Sequence, residues 1–323
     1  MSLLLALAAI SAPQPGELRT FRDWTVGCDN GRACQAVALM PEDGTDGATL
    51  TVVRGAEADA VPTIWVTVRS EGTGSPTALQ IDGRSFPLTL DAASETLRVR
   101  DGLGAARLLG QATSVVALGP GPNDRTAVST LGSAAALLYM DEQQRRLGTT
   151  TALVRRGPSN AVPPPPALPV IRSPSVPNRA ARTLSPKRVR QLLGRDATVC
   201  EFAQDLSVDA ARLDARNSLV LASHPCENGA YNYFYSAFIV DEGGRARPAS
   251  FAVPAAKADL VNASWDPATR RLTSFSKGRG LGDCGVGHAY AWDGTRFRLV
   301  HEEAMGECRG STDYITTWRA LVR

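Results

Sequence analysis

Cys284, His288, His301 and Cys308 are the four side chains of this sequence best suited to a tetrahedral metal. Two thiolates and two imidazoles match the ligand chemistry of zinc. Their order, Cys-x3-His-x12-His-x6-Cys, is not a familiar ligand spacing, and a disulfide would consume both thiols. No metal and no cofactor is therefore assigned. Nucleophilic chemistry is constrained further, because the chain has three histidines, His224, His288 and His301. A serine or cysteine site of the triad type must use one of them, and no Gly-x-Ser-x-Gly elbow is present to raise a serine. His224 sits in Ser223-His224-Pro225-Cys226, which reads as a turn. A hydrolase would then rest on His288 or His301. It needs a histidine in a concave site, within about 3 Å of a carboxylate or hydroxyl. Glu302 and Glu303 are adjacent, so on a strand they face opposite ways and do not form a glycosidase pair by themselves.

Two further stretches invite a ligand. Gly280-Leu281-Gly282-Asp283-Cys284-Gly285 formally matches the dinucleotide fingerprint. That fingerprint works only where a helix N-terminus follows the glycines. Val286–Trp292 alternates as a strand does, so the match is accidental. Tyr231-Asn232-Tyr233-Phe234-Tyr235 is a dense aromatic strand, and Lys277–Gly285 is a charged glycine loop. Together Tyr231, Asn232, Tyr233, Arg279 and Asp283 make a candidate surface for a sugar or a peptide. The plainer reading of such a strand is half core. Trp24, Trp65, Trp265, Trp292 and Trp318 are placed in cores.

Positioning these groups requires folded domains, and the chain can supply them. It has 323 residues, 43% hydrophobic and 21% charged, a globular composition with a length that suits two domains. A net charge of +3 without a Lys/Arg run gives no nucleic-acid footprint. Met1–Ala12 holds an apolar run followed by small residues, too short for a bilayer span and similar to a secretory signal. Residues 1–16 are read as that signal, although the usual positive n-region is missing, which leaves the true start open. Six cysteines, at 28, 34, 200, 226, 284 and 308, fit an oxidising compartment. Pairing within each half fixes Cys28–Cys34 and leaves three ways to join the other four.

The elements are mostly strands. Asp29-Asn30-Gly31 supplies a hairpin turn, since Asn-Gly tolerates positive φ, and Ile81-Asp82-Gly83-Arg84 supplies another. One helix is predicted over Ala134–Leu147, capped by Ser133 and stopped by Gly148, with Leu137, Met140, Gln144 and Leu147 on its inner face. Asp141 and Glu142 oppose Arg145 and Arg146 at helical spacing on its surface. Pro163–Pro166 sits in a polyproline spacer, residues 157–180. A second helix opens at Ser185-Pro186, and short strands with turns between them follow, including Arg247–Val253. The fold class is mainly β (α+β). Two antiparallel β-sandwich or meander domains, 17–156 with its helix and 181–323, flank the spacer.

Three stretches carry a family resemblance. They are Phe21-x-Asp23-Trp24-x-Val26-x-Cys28-Asp29-Asn30-x-x-x-Cys34, Met140-Asp141-Glu142-Gln143-Gln144-x-Arg146-x-Gly148, and Lys277-Gly278-Arg279-Gly280-Leu281-Gly282-Asp283-Cys284-Gly285. The last continues through Trp292-Asp293-Gly294-x-x-Phe297 to Glu307-Cys308-Arg309-Gly310. They resemble the bacterial domain-of-unknown-function 1176 family over nearly the whole chain outside the signal and the spacer. The first half is loosely similar to the invasion-associated locus B family. The resemblance implies export and disulfides, and brings no catalytic residue. The expected bridges are Cys28–Cys34, Cys200–Cys226 and Cys284–Cys308. The expected protein is periplasmic or secreted, a non-enzymatic module that binds an envelope protein or cell-wall component. The alternatives are an envelope hydrolase or a purely structural envelope protein.

Overall fold

The computed structural model describes residues 14–42, 47–69, 75–93, 96–194, 198–252 and 260–323. The apolar run read as a signal lies outside them, as does the end of the predicted strand Arg247–Val253. Within them the chain is mainly β, in antiparallel sheets with three short helices.

The first half builds one ten-stranded antiparallel sheet. Arg19–Phe21, Trp24–Cys28, Cys34–Ala38, Gly47–Arg54 and Thr63–Arg69 follow one another as a meander. Thr96–Val99, Arg84–Asp91, Ala78–Ile81, Val115–Leu118 and Arg125–Val128 complete it in that spatial order. The sheet curls until its last strand returns against Gly47–Arg54. Trp24, Leu50, Ile64, Leu79 and Ile81 fill the enclosed core, each fully buried. Asp82 and Gly83 both take positive φ in the second predicted turn. At the first turn the positive φ falls on Arg32 instead. Asp29 Oδ1 accepts from the amides of Gly31 and Ala33 at 2.8 and 2.9 Å. That frees Asn30 for a long-range contact.

The predicted helix runs Ser133–Gln143, shorter than expected. Ser133 does not cap it. Gly132 holds the N-cap at φ 103°, where a Cβ would lie 1.7 Å from the Phe21 carbonyl oxygen. The Ser133 hydroxyl donates to the carbonyls of Leu109 and Thr130. Asp141 and Arg146 face inward rather than pairing on the surface, and Leu147 is exposed. A helix over Gly102–Leu109 escapes a propensity reading, because two glycines open it. Asp101 makes it possible by accepting from the Gly104 amide at 2.9 Å.

The second half packs two sheets. One contains Val208–Arg212, Asn217–Ser223, Phe234–Asp241 and Ala246–Pro248, with Leu260–Val261 also paired to Phe234–Asp241. The other orders Ser264–Asp266, Arg271–Lys277, Gly285–Trp292, Phe297–Met305 and Ile315–Arg319. Leu219, Leu221 and Ile239 of the first meet Leu272, Trp292, Phe297 and Leu299 of the second in one core. On the first sheet's other face, Val220, Phe238 and Val240 pack under the helix Pro186–Leu193. Ser185 caps that helix, accepting from the Arg188 amide. The proline segment is extended and docked: Val170–Ile171 pairs in parallel with Leu321–Val322, and Ile171 packs on Ala291 and Val300.

Three disulfides join Cys28 to Cys34, Cys200 to Cys226 and Cys284 to Cys308. No helix among the described residues is long and apolar enough to cross a membrane.

Candidate functional site

The charged residues of the sequence motifs first have to be separated into those that hold the fold and those free to meet a ligand. In Met140–Gly148, Asp141 is buried and accepts from the amides of Leu153 and Val154, with Arg54 Nη1 at 3.5 Å. Burial, followed by the neighbouring Arg146 charge, lowers the Arg54 guanidinium to about 10. Gln144 Nε2 donates to the carbonyls of Arg32, Arg54 and Gly55. Arg146 binds the carbonyls of Ala58 and Glu57. The motif is a clamp between helix and sheet.

The first and last motifs meet each other. Asp23 Oδ1 accepts from Arg309 Nη2 at 2.8 Å, and Arg309 Nε donates to the Met40 carbonyl at 2.7 Å. Asn30 exchanges two hydrogen bonds with the backbone of Arg319, whose guanidinium pairs with Asp29. Asp313 accepts from Trp65 Nε1 at 2.8 Å and from Thr51 Oγ1. Val37 and Leu39 of the first half share an apolar cluster with Cys284, Met305 and Ile315 of the second. These motif residues therefore stitch the halves together.

The five residues expected to form a ligand surface divide by burial. Asp283 is fully buried; it accepts from Arg279 Nε at 2.7 Å and from the Gly310 amide at 2.7 Å. The Arg279 hydrogen bond holds its carboxyl well below the usual range, at about 2. Because the folded value is depressed, this carboxylate stabilises the fold above about pH 4 and stops doing so as the pH falls toward 2. Acid titration followed by tyrosine fluorescence should show the loop 278–283 loosening in that window, and Asp283→Asn should remove the transition. Asn232 is bonded to both backbone groups of Lys277. Tyr231 and Tyr233 remain exposed, as does Leu281 on the same glycine loop. No helix follows the glycines: Gly285 starts a strand, where a Cβ would strike the Ser276 carbonyl at 2.1 Å.

The histidines and cysteines of the metal reading are otherwise engaged. Cys284 and Cys308 are bonded to each other. His288 Nε2 lies 3.1 Å from Glu302 and His301 Nε2 lies 3.3 Å from Glu303, each pair on a sheet face. Among the described residues no group of three potential ligands is poised for an ion.

Sequence reasoning missed a cleft of about 630 Å³ between the two sheets of the second half. Ala211, Leu219, Leu221 and Trp265 give it an apolar floor. Arg179, Arg212 and Arg270 line it with one carboxylate, that of Asp209. Trp265 packs against the core of the second half while staying partly open to the cleft, Trp318 packs on the same core, and Trp65 is only partly buried. Val176–Arg179, from the end of the proline segment, forms one wall. Only the long-range docking of that segment creates the wall, and no local pattern announces it.

Fold and motifs together define a class. The chain belongs to the family described as Protein of unknown function (DUF1176), which matches residues 18–321. The chain is also similar to an uncharacterized protein, YpfG, of Escherichia coli (strain K12), 32% identical over 332 residues, covering 93% of this chain and 92% of that one. No solved structure matches the chain.

Proposed function

We propose that this is an exported envelope protein, periplasmic or secreted, whose second half binds a small anionic amphiphile of the envelope in the cleft beside Trp265. The carrying observation is the cleft itself. Its volume lies in the range of small-molecule sites, and it combines an apolar floor with a few polar groups. Arg179 and Arg212 share the Glu242 carboxylate behind the lining, and with Arg270 and Asp209 the cleft keeps a net positive charge that favours a negatively charged head group. Apolar side chains and a tryptophan suit holding a molecule rather than converting it. Export is supported by the three disulfides, which persist outside a reducing cytoplasm. The exposed Tyr231, Tyr233 and Leu281 extend the reading to an envelope partner docked on that loop.

A thermal-shift panel of anionic amphiphiles tests the cleft. A ligand at one hundred times its Kd should stabilise the folded state by about 2.7 kcal/mol. Ala211→Trp, which fills the floor, should remove that gain. A shift that persists in Ala211→Trp, or no shift with any amphiphile, would contradict the reading.

A further inference from the structure

Ser236, His224 and Glu227 form a chain of hydrogen bonds on the opposite face of the same sheet from the cleft. His224 Nδ1 lies 2.6 Å from Glu227 Oε2, and His224 Nε2 lies 2.8 Å from Ser236 Oγ. A carboxylate can only accept, so its contact places the imidazole proton on Nδ1. Nε2 is then left as the acceptor for the serine hydroxyl. This polarity is the one a general base needs to activate a serine, with the carboxylate fixing tautomer and orientation.

The local chain holds these groups rigidly. His224 follows the strand Asn217–Ser223, and its amide donates to the Phe234 carbonyl at 2.8 Å. The Glu227 amide closes a turn onto the His224 carbonyl. Pro225 stiffens that turn, and Cys226 is tied within it to Cys200. Ser236 stands on the neighbouring strand, paired in register with Ala222. Farther along, Phe238 and Val240 lie buried under the helix Pro186–Leu193, whereas Ser236 is only partly covered. The His224 side chain is 12% exposed, shielded but not sealed. Val199 and Phe202 are exposed on the segment that the Cys200 bridge anchors beside the site, offering apolar ground to an acyl chain.

We infer that Ser236 is a catalytic nucleophile activated by His224 and Glu227, and that the site hydrolyses small carboxylic esters. Ser236 Oγ attacks the ester carbonyl carbon while its proton passes to His224 Nε2. The bond to the alkoxy oxygen breaks, and the alcohol leaves with that proton. Water, deprotonated by the same imidazole, then attacks the acyl-serine, releasing the acid and restoring the hydroxyl. This activity is independent of ligand binding in the cleft, which is lined by Leu219 and Leu221 on the other face of the same sheet.

The full oxidised chain, treated with a fluorophosphonate probe and assayed with p-nitrophenyl butyrate, tests the site. Peptide mapping should find the adduct on Ser236. Ser236→Ala should abolish labelling, and His224→Gln and Glu227→Gln should each slow ester turnover at least about 100-fold. The melting temperature of Ser236→Ala should match the parent, separating lost chemistry from lost structure. Absence of an adduct at Ser236 in the parent, or equal labelling of Ser236→Ala or His224→Gln, would overturn the assignment. Ala211→Trp should leave labelling unchanged, so failure of the cleft and failure of this site are read separately.

Discussion

Asp141→Ala should destabilise the protein by about 3–5 kcal/mol, the cost of removing one partner from a buried ion pair. Asp141 and Arg146 are fully buried and Arg54 is 1% exposed. Asp141 is the carboxylate in contact with Arg54, and it also accepts the amides of Leu153 and Val154. Its loss leaves two amides without their acceptor and the Arg54 guanidinium with the Thr151 carbonyl but no counter-charge, all in a buried site. For a domain of this size the melting temperature should fall by about 10 °C or more, measured by circular dichroism at neutral pH. Glu142→Ala, one residue along and exposed, should stay within about 0.5 kcal/mol of the parent. Replacing both Asp141 and Arg54 by leucine should recover only the share due to the unpaired guanidinium, since the amides of Leu153 and Val154 still lack an acceptor. Near-parental stability of Asp141→Ala would show that the clamp does not hold the first half together.

The second large effect concerns Cys284 and Cys308. Their bridge closes a loop of sequence separation 24, against 6 for Cys28–Cys34. Restricting the unfolded chain by loops of these lengths is worth about 3–4 and about 2 kcal/mol respectively. Replacing both Cys284 and Cys308 by serine should therefore lower stability more in urea than the same change at Cys28 and Cys34. The effect should also be localised. Cys308 precedes Arg309 and Gly310, which bind Met40, Asp23 and Asp283. Amide exchange at Met40 and Gly310 should speed up in the serine variant before exchange in the Leu219–Leu221 strand does. The reverse order, in stability or in exchange, would contradict the role given to this bridge.

The two turns show how much of the fold could be read from residue types. Asp82-Gly83 takes the positive φ that an Asp-Gly pair favours locally, and the Asp82 carboxylate also accepts from the amides of Thr113 and Ser114, 31 and 32 positions away. Asn30 looked equally local, yet it serves Arg319, 289 positions away. Periodicity found the helix near Ser133 because its inward residues recur at helical spacing, but the rule favouring exposed charge misplaced Asp141 and Arg146. Buried charges break that rule only when partners distant in sequence complete them, here Arg54 and the carbonyls of residues 57 and 58. The strand Arg125–Val128 and the helix Gly102–Leu109 were invisible for a similar reason: tertiary packing overrides weak propensity. The candidate sites were the least legible part. The cleft needs a wall from residues 176–179, and the Ser236 hydroxyl reaches His224 only through the register that sets Ser236 opposite Ala222.

Non-reducing peptide mapping of the protein recovered from fractionated native cells tests the central claim most directly. Linked peptides should pair residues 28 with 34, 200 with 226 and 284 with 308, in material recovered outside the cytoplasm and resistant to thiol alkylation. Alkylated Cys284 and Cys308 in the folded native protein, or recovery of the chain only from the reducing cytoplasm, would contradict an exported, disulfide-braced binding protein.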